Sequence, residues 1–191
     1  MNGKARGKLV VISGPSGAGK TSICDELLRR IPNSRWSVSV TTRPQRGNEV
    51  DGQDYRFVSP AKFQRMVDAD ELLEHAQYLG HWYGTPRAPV EQALAAGEIM
   101  IMEIDVQGGA QVARRMPESI RVFVLPPTME TLKARLEGRR TETETLQEKR
   151  IAEADGEIAF ARSSAYYPFF ITNDILTDSV EQVLRIIEHG L

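Results

Sequence analysis

The chain has 191 residues, with 24 basic and 26 acidic side chains for a net charge of −2, and a single cysteine. That length carries one well-buried core with inserted lobes but not two ordinary large domains, and the near-zero charge excludes a nucleic-acid coat or an anionic membrane as the main partner. No apolar run approaches the ~20 residues that span a bilayer, Met1 to Lys8 is a short basic lead without an apolar signal core, and Cys24 has no partner for an internal disulfide, so a cytoplasmic protein is expected.

In chain order, Leu9–Ile12 is an unbroken apolar run, as a fully buried parallel strand requires. It leads into Gly14-Pro15-Ser16-Gly17-Ala18-Gly19-Lys20-Thr21-Ser22, where glycine, four residues, then Gly-Lys-Thr reproduce the spacing of a phosphate-cradling loop. Its glycines let the backbone curl so that successive N–H groups face phosphate oxygens. Lys20 reaches the β- and γ-phosphates, Thr21 supplies a hydroxyl suited to Mg²⁺, and the positive end of the next helix lies under the phosphates. Ile23, Leu27, Leu28 and Ile31 recur at helical spacing before Pro32, with Cys24 on the same apolar stretch as a small core side chain. The ligand this implies is a nucleotide polyphosphate.

Between Ser37 and Val58 the pattern turns polar and alternating, with glycines, and predicts short strands and turns outside the parallel core. Arg43 and Arg46, followed by Tyr55, offer two planar forks and a phenol that suit a dianionic monophosphate; by spacing alone two solvated arginines on a loop are the favoured reading. Helical patterns follow at Pro60–Asp68 and Ala88–Ala96, then the apolar strand Ile99–Ile104. Its end carries Glu103 and Asp105 on one face, beyond the carboxyl end of a strand where ligands of open α/β sheets gather. These carboxylates could hold Mg²⁺ through water, touch a base, or cap a turn at Gly108-Gly109. Strands at Val122–Leu125 and Phe169–Thr172 alternate with helices at Met129–Gly138, Thr145–Ser164 and Ser179–His189, the signature of a parallel α/β sheet. The three histidines have no metal-ligand spacing, and no Ser, His and Asp constellation is evident. His75, Trp36 and Trp82 are expected as packing residues.

Several motifs in order over residues 8 to 188 resemble the guanylate kinases: Gly14–Lys20, Ser37–Arg46, Asp51–Val58, Leu73-Glu-His-Ala76, Tyr83-Gly-Thr-Pro86, Ile104-Asp-Val-Gln-Gly108, Pro126-Pro127 and Arg135–Arg139. The resemblance implies a P-loop NTPase-type parallel sheet flanked by helices, with an inserted GMP-binding lobe and a small lid. It assigns 1–35, 91–134 and 151–191 to the core, 36–90 to the lobe and 135–150 to the lid. It also implies Mg²⁺-dependent transfer of the γ-phosphoryl of ATP to GMP, with dGMP as a further acceptor and no nucleic acid, membrane or obligate protein partner.

By residue, the resemblance has Glu74 grip the guanine edge with hydroxyls of Ser39 and Thr85 at O6. The chemistry agrees. Guanine offers N1–H and N2–H₂ to a carboxylate, where adenine sets a lone pair at N1 against it. Arg43, Arg46, Tyr55 and Tyr83 hold the GMP phosphate, and Glu49, Glu103 and Asp105 complete the substrate set. Arg135, Arg139 and Arg150 close over the ATP phosphates, supplying mobile cations for the transferring phosphoryl, and Asn173 stands near the adenine. Arg140 and Asn48 replace common family glycines; Arg140 is an extra phosphate ligand or a surface charge, and Asn48 accommodates the left-handed backbone of the turn. No general base is needed, because the acceptor oxygen is already ionised near neutral pH. A guanylate-kinase-like binding module is disfavoured by the intact loop, a kinase acting on a sugar phosphate by the guanine-reading set, and a nucleic-acid-dependent ATPase by the absence of a basic stripe.

Overall fold

The computed structural model describes residues 6–137 and 144–190, without the side chains of residues 137 and 144–149. Its first half runs β1 (Lys8–Ser13), α1 (Lys20–Arg30), β2 (Ser34–Trp36), β3 (Val40–Thr41), β4 (Arg56–Phe57), α2 (Pro60–Asp68), β5 (Leu72–Tyr78), β6 (His81–Pro86) and α3 (Arg87–Ala95). The second half runs β7 (Ile99–Glu103), α4 (Val106–Arg115), β8 (Ile120–Leu125), α5 (Met129–Glu137), α6 (Glu144–Ser163), β9 (Phe169–Thr172) and α7 (Leu176–His189).

Five strands form a parallel sheet in the order β2-β7-β1-β8-β9. Alternation along β1 explains its unbroken apolar run. Val10 and Ile12 point to a core made with α1 and α7, including Ile23, Leu27, Val183 and Ile187. Leu9 and Val11 point to the opposite core, with Val90 and Leu94 of α3 and Val112 of α4. A strand buried on both faces has no polar side to show. Cys24 is fully buried in the first core, and burial pushes its thiol pKa well up, so it packs as a small apolar side chain. The parallel sheet, helices on both faces and a phosphate loop between β1 and α1 make this an α/β fold of the P-loop NTPase type.

A second sheet, β4-β3-β6-β5, lies between β2 and α3 in sequence. Its own core of Val40, Phe63 and Leu72 is roofed by α2. In the β5/β6 pair, Leu72 faces Pro86 and Glu74 faces Thr85, so Leu73 is an extra residue in a β-bulge. Leu73 is fully buried and enters the core shared with α3 and α4, tying the small sheet to the large one.

Several elements depart from the sequence expectation. β2 joins the parallel sheet, although its three residues carry no apolar run. The β5/β6 hairpin and α4 have no counterpart in the predicted elements. Gly108-Gly109, read as a turn, lies in the first helical turn of α4, where burial and a capping side chain override glycine's low propensity. At the 46–49 turn, closed by the Glu49 N–H on the Arg46 carbonyl at 2.9 Å, the positive φ of +25° falls on Gly47, and Asn48 is not asked for a left-handed backbone. Arg139 and Arg140, central to the expected lid, lie outside the described residues.

Candidate active site

The carboxyl ends of β1, β7 and β9 converge on the phosphate loop, where an open parallel sheet gathers its ligands. Gly14 has φ +144°, and a Cβ there would stand 2.3 Å from the Val124 carbonyl oxygen. Gly19, the residue before α1, has φ +90°, and its Cβ would meet the Asn173 amide at 2.2 Å. Side chains at either position are barred twice, by conformation and by space. Lys20 Nζ donates to the Gly14 and Pro15 carbonyls at 2.7 and 3.1 Å, which folds the ammonium over the loop, and it lies 3.9 Å from Glu103 Oε1. Ala18 is buried and its N–H closes the loop on the Pro15 carbonyl at 3.1 Å, while Ser22 is exposed in the first turn of α1.

Distant residues brace this loop. Asn173, buried at the end of β9, donates to the Ala18 carbonyl at 2.8 Å and accepts from the Ser179 hydroxyl at 3.0 Å. Both ends of its side chain are engaged by protein groups, and the amide forms a strap under the loop. Arg135 donates to the Asn173 carbonyl at 3.0 Å, and the buried Arg150 donates to Ser16 Oγ at 2.6 Å. Two of the three expected lid arginines are therefore in contact with the loop or its strap.

The two carboxylates after β7 separate in role. Thr21 Oγ1 donates to Glu103 Oε2 at 2.9 Å, which puts Glu103 on the phosphate side. Asp105 is the N-cap of α4 and accepts from the Gly108 N–H at 2.7 Å, so the cap allowed for Glu103 is made by Asp105. The Thr21 and Glu103 pair presents hard oxygens beside Lys20, a donor set that fits Mg²⁺ held by few protein atoms. Among the described residues no cluster of three His, Cys, Asp or Glu is arranged to hold a metal by itself. Such a site suits an ion that arrives with a polyphosphate.

The small sheet carries the second half of the site. Glu74 and Thr85 are direct cross-strand partners, and Thr85 Oγ1 donates to Glu74 Oε1 at 2.6 Å. The β3/β6 register pairs Val40 with Gly84 and Thr41 with Tyr83; continued by one residue it sets half-buried Ser39 across from Thr85. Glu74, Thr85 and Ser39 thus form one row over three strands. Glu74 is 4% exposed, and burial first, then the Asp105 charge, lifts its carboxyl to about 7 against the Thr85 hydrogen bonds that lower it.

Beside this row, Arg43 is buried and its guanidinium grips Glu49 bidentately, at 2.6 and 3.0 Å. The Arg46 N–H also holds Glu49 at 2.8 Å, while its side chain is exposed. Arg43 lies 5.4 Å from the Tyr55 ring centroid, and the Tyr55 and Tyr83 rings meet edge-on at 6.0 Å. The Arg43 fork, the two phenols and Glu49 are therefore one cluster, in which Glu49 orients the arginine. His75 and Trp82 pack their rings together with Phe63, but Trp82 stays 37% exposed, outside the core.

Sequence reasoning missed three residues here. Thr41 accepts from the Arg43 N–H at 3.1 Å; Gln111 bonds both backbone groups of His75; and Glu157 of α6, lifted to about 7 mainly by burial, feels Lys20 and Asp105. Thr41 lies within the Ser37–Arg46 motif without being singled out, and Gln111 and Glu157 belong to no spaced motif. Glu157 sits in a run of mixed charge that reads as a solvated helix face.

A guanylate kinase family profile matches residues 6–190. The guanylate kinase of Desulfitobacterium hafniense is 43% identical over 181 residues, 95% of this chain and 89% of that protein. That of Gloeobacter violaceus is 46% identical over 94% of this chain and 86% of its own length. The crystal structure of guanylate kinase from Anaplasma phagocytophilum superposes with a TM-score of 0.80 at 30% identity, covering 98% of this chain and 87% of that one. Sequence, profile and backbone agree over nearly the whole length, and the chain belongs to the guanylate kinase family, the nucleoside monophosphate kinases that phosphorylate GMP with ATP.

Proposed function

We propose that the two halves of this site divide the reaction, the loop after β1 holding the ATP phosphates and the Glu74, Thr85 and Ser39 row selecting guanine. The observation that carries the base assignment is the buried Glu74 carboxylate bonded to Thr85 at 2.6 Å. A desolvated acceptor of this kind rewards the N1–H and N2–H₂ donors of guanine and leaves adenine mispaired. The Ser39 hydroxyl serves O6, joined by the Thr85 hydroxyl when its single proton swings from Glu74 to the base.

Arg43, Arg46, Tyr55 and Tyr83 hold the GMP phosphate, with Glu49 keeping the Arg43 fork in the plane of its partner. Lys20 and the loop N–H groups neutralise the β- and γ-phosphates. Arg135 and Arg150, with Arg139, bring further positive charge to the transferring group. Thr21, with Glu103 bonded to it, would hold Mg²⁺, which would supply neutralising charge for the phosphate oxygens. Catalysis is positioning plus electrostatics, because the attacking phosphate oxygen needs no base. We assign residues 36–90 to the GMP lobe, 135–150 to the lid and the rest to the core. The reaction is placed in the cytoplasm, in line with a lone buried cysteine; among the described residues no helix is long and apolar enough to cross a membrane.

ADP release from Mg·ATP with GMP, dGMP, AMP, CMP, UMP or ribose 1,5-bisphosphate at equal concentration tests the assignment. Strong release with GMP and weaker release with dGMP is expected. Equal release with AMP overturns the role of Glu74, and a folded, ATP-binding protein silent with every acceptor overturns the kinase.

A further inference from the structure

Helix α4 meets the base-reading strand along one stripe. Gly108, Gln111 and Arg115 are spaced three and four residues apart, so they share a face of the helix. β5 is the outer strand of the small sheet, and its free edge has backbone groups in need of partners. The stripe supplies them. Gln111 accepts from the His75 N–H at 3.2 Å and donates to the His75 carbonyl at 2.7 Å, a side-chain amide taking the place of a neighbouring strand. Arg115 donates to the Leu72 carbonyl at 2.8 Å. Between these two anchors sits Glu74.

The third member of the stripe acts by lacking a side chain. A Cβ on Gly108 would stand 2.5 Å from Glu74 Oε2 and 3.1 Å from its Cδ, with Ile104 Cδ1 at 3.4 Å behind. Real Cβ atoms do not approach oxygen so closely, and Glu74 has little freedom to give way while Thr85 holds its other oxygen at 2.6 Å. Gly108 carries no positive φ, so nothing in its backbone asks for glycine. In a helix alanine is otherwise the better residue by about 1 kcal/mol. Its absence of a side chain is explained by the carboxylate.

We propose that Gly108 and Gln111 are positioning residues for base selection: the bare Cα of Gly108 is the seat of the Glu74 carboxylate, and the Gln111 amide fixes the strand that carries it. The inference rests on Glu74 as the guanine reader. It extends the specificity set to the helix that joins the small sheet to the core.

Steady-state kinetics with GMP and AMP test it in Gly108→Ala, Gln111→Met, Glu74→Asp, Glu74→Gln and the double variant Gly108→Ala/Glu74→Asp, with thermal melts as a folding control. For Gly108→Ala and Gln111→Met a KM for GMP raised about 10-fold is expected, with the KM for ATP within about 2-fold of the parent and kcat at saturating GMP largely kept. A general packing defect would move both substrates. In the Glu74→Asp background the shorter side chain withdraws from the helix, so adding Gly108→Ala should cause no further loss, a non-additivity that reports direct contact. The Gln111→Met and double variants also cover a Gly108→Ala chain that does not fold. Additive losses in the double variant, or parental KM for GMP in folded Gly108→Ala and Gln111→Met while Glu74→Gln is impaired, overturn the seat alone. Unchanged preference for GMP over AMP in Glu74→Gln overturns the guanine-reading role, and the seat with it.

Discussion

As the proposed guanine reader, Glu74 trades stability for recognition. Its carboxyl, at about 7 in the fold against 4.5 ordinarily, binds its proton more tightly in the native than in the unfolded chain. Native stability therefore falls as pH rises from about 4.5 to 7, by an upper limit of about 3 kcal/mol once the group is ionised. Glu74→Gln keeps an acceptor for Thr85 and removes the buried charge. It is expected to melt roughly 5 °C above the parent at pH 8, with the gap closing near pH 5; a constant gap would show that the carboxyl ionises without strain. Guanine needs the carboxylate, so the parental KM for GMP should also climb below pH 7. In Glu74→Gln only the titration of the substrate phosphate, near 6, should remain. Glu74 was assignable from a motif, but its proton affinity depends on Asp105 and on enclosure, neither of which is written beside it in the sequence.

At the scale of elements, the phosphate loop illustrates local and distant control together. Its glycines, Lys20 and Thr21 are consecutive, and the adjoining strand and helix have clear periodicities, so the segment was readable as it stands. Its braces were not, because Asn173, itself held by Ser179, meets Ala18 only after β9 pairs with β8. Asn173→Ala removes the strap and leaves the Ala18 carbonyl unpartnered in a buried setting, a loss of about 1–3 kcal/mol. The expected result is a KM for ATP raised several-fold with the KM for GMP unchanged, read in steady-state kinetics. A parental KM for ATP would show that the loop holds its form without Asn173. The bulge at Leu73 belongs to the same scale. One extra residue sends Leu73 into the large core and sets Glu74 against Thr85, and nothing in Leu72-Leu73-Glu74 announces it.

Over the whole molecule, the two sheets, to which the proposed function assigns one substrate each, meet through Leu73 and the α4 stripe. A ligand that occupies both halves is bound once but restrains both. An adenosine and a guanosine joined by a polyphosphate bridge is therefore expected to raise the melting temperature more than ATP and GMP mixed at the same concentration, since linked occupancy avoids a second loss of translational freedom. Equal shifts would mean that the halves do not close on a shared span. The small net charge fits this arrangement: Lys20 and Arg43 each have a carboxylate beside them, Glu103 and Glu49.

The sequence by itself determined the parallel α/β core, the phosphate loop and the family to which the chain belongs. Apolar runs and contiguous motifs encode these locally. Only the tertiary structure decided that β2 joins the core sheet, that Gly108-Gly109 opens a helix and not a turn, that Glu103 faces Thr21 while Asp105 caps α4, and that Glu49 holds Arg43. Each of those outcomes depends on partners far apart in the chain, or on burial that overrides local propensity, and such partners become neighbours only once the two sheets have packed.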